Sequence, residues 1–155
     1  MSVFNYEKDS DGIVTITMDQ SGPVNCMNAE YREAMVKTVD RLEQEEELCG
    51  VIIASAKKVF FAGGDLKELL AVKPGLENEF FDMVEHVKLQ FRRLEKLPVP
   101  VVAAINGAAL GGGFEICLAC NYRIALDDKS VQMGLPEVTL VSSASYYICV
   151  SRAIL

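Results

Sequence analysis

Two glycine-rich segments constrain this chain more than any other feature: Phe61-Ala-Gly-Gly-Asp-Leu66 and Asn106-Gly-Ala-Ala-Leu-Gly-Gly-Gly-Phe-Glu115. Each follows an apolar, β-like run, Gly50-Val-Ile-Ile-Ala-Ser55 and Pro100-Val-Val-Ala-Ala-Ile105, and each puts glycines where a strand hands over to a helix. Glycine allows a turn with φ > 0 and lets a ligand approach without a Cβ in the way. The N–H groups at such a helix start have no intrahelical partner, so they are available to an anion. Two loops of this kind side by side would clamp one oxygen from two sides, the geometry of an oxyanion hole.

The rest of the pattern alternates strands with helices. Residues 3–6 and 12–18 alternate as strands around the turn Asp9-Ser-Asp-Gly12, a hairpin at the front of the chain. Asn28 closes the loop 21–28 and is placed to cap a helix over 29–46, whose apolar face is Met35, Val39 and Leu42. Residues 50–54 form an apolar run bounded by turn signals, which predicts a fully buried strand. A short helix is expected over 65–70, broken by Lys73-Pro-Gly75, then a longer amphipathic one over 77–97 on Phe80, Val84, Val87, Phe91 and Leu94. Pro98 and Pro100 stop it ahead of a strand over 101–105. Residues 112–120 read as a buried helix, and 123–126 and 131–133 as further strands. This order argues an α/β fold in a single domain, residues 1–155.

Composition excludes several function classes. The net charge is −7 without a basic stripe, which argues against nucleic acid as a partner. The N-terminus is polar and strand-like, with no apolar leader, and the longest apolar stretches are shorter than a membrane span. The chain reads as soluble and cytoplasmic, without a membrane partner. Five cysteines scattered through apolar segments fit reduced thiols better than a disulfide framework. Cys117-x-x-Cys120 has no second pair, and the single His, His86, lies in a charged helical stretch. The pair reads as two small hydrophobes on a buried helix, and no metal site is expected.

The candidates for chemistry are carboxylates. Glu115 follows Gly112 by one helical turn, in an otherwise apolar stretch where a charge is costly to bury without a task or a partner. Glu137, in Gly134-Leu-Pro-Glu137, is the second. Two carboxylates near an oxyanion hole suit acid/base work on one water or one C–H. A paired structural role for Glu115 is the competing reading. Asp65 begins a helix after glycines and is placed to cap it. A Ser/His/Asp triad is disfavoured by the single His and the lack of Gly-x-Ser-x-Gly. The glycine spacing matches neither a P-loop nor a dinucleotide fingerprint.

Phe61-Ala-Gly-Gly-Asp-Leu-Lys67, Ile105-Asn-Gly-Ala-Ala-Leu-Gly-Gly-Gly-Phe-Glu115 and Gly134-Leu-Pro-Glu137, in this order, resemble the crotonase (enoyl-CoA hydratase/isomerase) superfamily, most closely the hydratase part of bacterial fatty-acid β-oxidation enzymes. The resemblance covers roughly residues 3–140 and implies the N-terminal part of a crotonase-like β-β-α spiral. It implies an acyl-CoA thioester as substrate and no separate cofactor, coenzyme A being part of the substrate. By motif position the oxyanion-hole N–H groups fall on Gly64 and Gly112, and the catalytic glutamates on Glu115 and Glu137. Ala62 and the segment Gly64, Asp65, Leu66 and Lys67, with Gly112, would touch the thioester or its CoA. The loop Val24-Asn-Cys-Met-Asn-Ala29 resembles the family loop that lines the CoA site, which brings in Cys26. Lys57 and Lys58 are candidates for the CoA phosphates, against two solvated lysines. Both glutamates together imply hydration of a 2,3 double bond, with a Δ3-Δ2 isomerase or another crotonase-type enzyme as the alternative. The family forms trimers, often dimers of trimers.

The sequence departs from the family after Leu140, where Val141-Ser-Ser-Ala-Ser-Tyr-Tyr147 stands in place of a glycine-rich continuation. The expectation is a chain cut short of the family's C-terminal helical part, with a non-catalytic CoA-binding or interaction module as a third reading.

Overall fold

The computed structural model describes residues 3–65, 67–68 and 73–136. Its chain begins with the expected hairpin: β1 (Phe4–Lys8) pairs antiparallel with β2 (Ile13–Met18), in a register that sets Phe4 opposite Met18 and Lys8 opposite Val14. Asp9 builds the turn, its Oδ1 accepting from the N–H groups of Asp11 at 3.0 Å and Ile13 at 2.8 Å. The alternation of β2 is physical: Val14, Ile16 and Met18 are buried while the residues between them are half-buried.

Helix α1 (Ala29–Gln44) starts as its cap residue dictates, with Asn28 Oδ1 accepting from the Tyr31 N–H at 2.9 Å. It ends short of residue 46 because Glu45 turns extended. There the Tyr6 hydroxyl donates to the Glu45 carboxylate at 2.7 Å, and Lys8 lies 3.3 Å from it. Strand β3 (Gly50–Ser55) runs parallel to β2. Val51 and Ile53 are buried and Ile52 and Ala54 only half-buried, so the strand has one core face rather than the two expected. Helix α2 (Glu77–Glu95) buries Val87, Gln90, Phe91 and Leu94, whereas Phe80 and Val84, nearer its start, are half-buried. Arg93 ties α2 to α1 through Asp40 at 2.6 Å and Glu43 at 2.7 Å.

Strand β4 (Val101–Ile105) pairs parallel with β3. Within the second glycine segment a two-residue strand, β5 (Ala109–Leu110), precedes helix α3 (Gly112–Ala119). Strand β6 (Tyr122–Ala125) pairs parallel with β4, and β7 (Met133–Gly134) with β5. The larger sheet has the order β1-β2-β3-β4-β6, and β5-β7 forms a second, small one. The edge strand β6 is exposed along its length, with Tyr122 at 64% and Ile124 at 67%. The core lies between the larger sheet and helices α1, α2 and α3, from Val14, Ile16, Val51, Ile53, Val101 and Ala103 to Met35, Leu42, Phe91 and Ile116. No helix among the described residues is long and apolar enough to cross a membrane.

Tyr31 is the polar misfit of this core. It is 1% exposed, its ring edge-on to Phe4 at 5.7 Å and to Phe61 at 5.0 Å. Its hydroxyl has no hydrogen-bond partner among the described residues, and burial pushes its pKa up. An orphaned buried hydroxyl costs about 1–3 kcal/mol of desolvation. Tyr31→Phe is therefore expected to stabilise the fold by about 1 kcal/mol, read as a higher urea midpoint at unchanged slope.

Candidate active site

Three segments distant in sequence meet beyond the ends of β2, β3 and β4. Residues 25–27 lie as a short strip along residues 62–65. The Ala62 N–H donates to Asn25 O at 2.8 Å, the Met27 N–H to Gly63 O at 2.8 Å, and the Asp65 N–H to Met27 O at 3.4 Å. In a trans peptide the C=O and the following N–H point in opposite directions, and the structure contains no cis peptide among its described residues. With Gly63 C=O turned to Met27, the Gly64 N–H is turned away from it.

The second glycine segment docks on the first. The Phe61 N–H donates to Ala108 O and the Leu110 N–H to Phe61 O, both at 3.1 Å. On its other edge Ala109 donates to Gln132 O at 2.8 Å and Gly111 to Gly134 O at 2.9 Å. The backbones touch: a Cβ on Gly63 would lie 3.0 Å from Leu110 O, and one on Gly113 would lie 2.6 Å from the Phe61 Cβ. Gly112 opens α3, where an N–H has no intrahelical acceptor. A Cβ there would lie 2.8 Å from Met27 Cε and 3.8 Å from Glu115 Oε2. The Glu115 carboxylate thus sits in the first turn of α3, favoured by the positive end of the helix, on a residue 6% exposed.

The fold therefore brings Gly64, Gly112 and Glu115 together around Met27. Ala62 and Lys67 are exposed beside them, and Asp65 is half-buried with its Oδ1 accepting from the Lys67 N–H at 2.8 Å, a capping geometry. Glu68 reaches back to α1, accepting from the Ala29 N–H and pairing with Arg32, each at 2.9 Å. Leu66 and Glu137 lie outside the described residues. Cys26 is half-buried, and burial, followed by the carboxylates of Asp65, Glu68 and Glu30, raises its thiol pKa, which keeps it protonated. Burial pushes Cys117 and Cys120 up to about 12, and each thiol donates to the carbonyl four residues back. They are inert core, and no cluster that could hold a metal occurs among the described residues. Lys57 is paired with Asp19 at 2.6 Å, which neutralises it in place.

Sequence reasoning missed two buried polar residues beneath this site, Gln20 and Asn25. Gln20 donates through Nε2 to Asn28 Oδ1 at 2.9 Å and accepts from the Cys26 N–H at 2.5 Å. Asn25 is fully buried and bonded at both ends of its amide. The available signal was its place between Val24 and Cys26, in a loop read for its helix cap and for Cys26 but not for the amide of Asn25.

Known proteins are similar to this chain in sequence and in fold. The fatty acid oxidation complex subunit alpha of Psychrobacter cryohalolentis is 41% identical over 131 residues, covering 84% of this chain and 18% of that protein. Its counterpart in Shewanella oneidensis is 37% identical over 139 residues, covering 88% of this chain and 19% of that one. The crystal structure of an enoyl-CoA hydratase from Bacillus anthracis superposes with a TM-score of 0.79 at 32% identity, over 90% of this chain and 52% of the other. The chain thus spans less than a fifth of the curated relatives and about half of the solved one. The fold is that of the crotonases. The Enoyl-CoA hydratase/isomerase family model matches residues 8–152, and with the two glycine loops docked as described, the chain belongs to that family.

Proposed function

We propose that this chain is the thioester-binding and acid/base part of an enoyl-CoA hydratase acting in fatty-acid β-oxidation. The observation that carries the reading is the Gly63–Gly64 peptide, held by Met27 with its N–H turned outward, while Met27 packs on Gly112 beside the Glu115 carboxylate. An enoyl thioester placed with its carbonyl oxygen between the Gly64 and Gly112 N–H groups is polarised toward C3. A water held by Glu115 and Glu137 adds there. One carboxylate takes the water's proton as its oxygen bonds to C3, and the π electrons move onto the thioester oxygen as an enolate. The enolate collapses as the other glutamate, which enters the step as the carboxylic acid, delivers its proton to C2, giving the 3-hydroxyacyl-CoA. The addition is redox-neutral, so its balance calls for no electron carrier.

The test is to mix the chain with crotonyl-CoA and follow the conjugated thioester absorbance. Its loss, with 3-hydroxybutyryl-CoA as product, supports the hydratase. A gain of that absorbance from a 3-enoyl-CoA, without loss from crotonyl-CoA, assigns the site to isomerisation instead. Binding of CoA thioesters with neither change overturns both in favour of a non-catalytic module.

A further inference from the structure

We propose that Asn25 is a positioning residue that aims the Gly64 N–H at the thioester oxygen, an inference that rests on the oxyanion-hole reading above. The peptide between Gly63 and Gly64 is flanked by two residues without side chains, and Gly63 sits at φ +95°. Local backbone preference therefore does little to hold that peptide in one orientation. What holds it is the Met27 N–H on its carbonyl, together with the neighbouring bond from Ala62 to the Asn25 carbonyl. Both depend on residues 25–27 staying in place.

Asn25 fixes them, together with the Gln20 Oε1 that accepts from the Cys26 N–H at 2.5 Å. The Asn25 side chain is fully buried and spends its whole amide on segments of the scaffold. Oδ1 accepts from the Gln20 N–H at 3.1 Å, and Nδ2 donates to Met18 O at 3.1 Å, at the end of β2. The same Nδ2 lies 2.9 Å from Ser55 Oγ, at the end of β3, and 3.5 Å from Phe60 O, just ahead of the first glycine loop. Ser55 in turn accepts from the Lys57 N–H at 3.1 Å and donates to Val59 O at 2.9 Å. One side chain thus anchors the strip to two strand ends, and the strip orients Gly64. Without the amide, three backbone groups and one hydroxyl lose a buried partner. The strip is then free to shift, and the Gly63–Gly64 peptide to turn with it.

The test uses an aryl-conjugated enoyl-CoA, a cinnamoyl-type thioester whose absorption moves to longer wavelength when its carbonyl is polarised. The parent chain is expected to red-shift the bound thioester. Asn25→Ala is expected to bind it with a similar dissociation constant but to lose most of the shift. Its kcat for crotonyl-CoA should fall about 10- to 100-fold with KM little changed, the pattern of a donor misaimed in the transition state. A folded Asn25→Ala that keeps the full shift and kcat overturns the proposal while leaving the oxyanion hole standing. If that variant does not fold, Ser55→Ala, which removes one of the four Asn25 contacts along with the Lys57 and Val59 bonds, decides in the same way: a reduced shift supports the proposal and an unchanged one overturns it. No shift in the parent chain overturns the oxyanion-hole reading and this inference with it.

Discussion

Glu115→Gln is expected to abolish hydration, lowering kcat for crotonyl-CoA by about 10³-fold while leaving the fold intact. The substitution keeps the volume and the planar shape of a residue that is 6% exposed in the first turn of α3, so packing around it is preserved. What it removes is the ability to take a proton from water and give one back, a step that contributes about 10²- to 10⁴-fold. The Gly64 and Gly112 N–H groups are backbone and stay, so thioester affinity should be little affected. The comparison is steady-state kinetics against far-UV circular dichroism. A variant that retains more than about a tenth of the parent rate would remove Glu115 from the proton path.

Gly113→Ala is expected to destabilise the fold by about 3 kcal/mol, against the sign of helix propensity, which alone would favour alanine by about 1 kcal/mol. The added methyl would lie 2.6 Å from the Phe61 Cβ and 2.7 Å from the Phe61 carbonyl oxygen. Phe61 has nowhere to go. It is fully buried, its ring lies 5.0 Å from that of Tyr31, and its carbonyl oxygen already accepts from Leu110. Gly134→Ala is the control: a Cβ there has nothing within 4 Å, and its cost should stay within about 0.5 kcal/mol. Urea midpoints of the two variants check the pair. A Gly113→Ala chain as stable as its parent would mean that the two glycine loops do not pack as tightly as described.

Most of the scaffold was legible because short-range signals and long-range packing agreed. Asp9 and the alternation of β2 announce the hairpin, Asn28 announces α1, and the apolar runs before the glycine loops announce β3 and β4. The ends of helices were harder to read. Glu45 leaves α1 because Tyr6 and Lys8 hold its carboxylate, a contact across 39 and 37 residues that no local window contains. Strand β5 escaped because two residues inside a glycine run carry no periodicity, and their pairing with Phe61 and with β7, distant in sequence, makes them a strand. The glycines and Glu115 stood out by type and spacing. Asn25 did not, since its importance lies in four partners from 5 to 35 residues away, and a sequence shows the amide without its bonds.

The strip 25–27, the loop 61–65 and the start of α3 follow β2, β3 and β4, three successive passes of the chain through the parallel part of the larger sheet. Pairings of such wide sequence separation form late, because loop closure must precede their reward. A ligand held by the three together would bind the native chain in preference to the unfolded one and raise the unfolding free energy, by about 2.7 kcal/mol at a hundred times its dissociation constant. Binding of a thioester at the proposed site is thus expected to raise the urea midpoint of the chain as the ligand concentration rises.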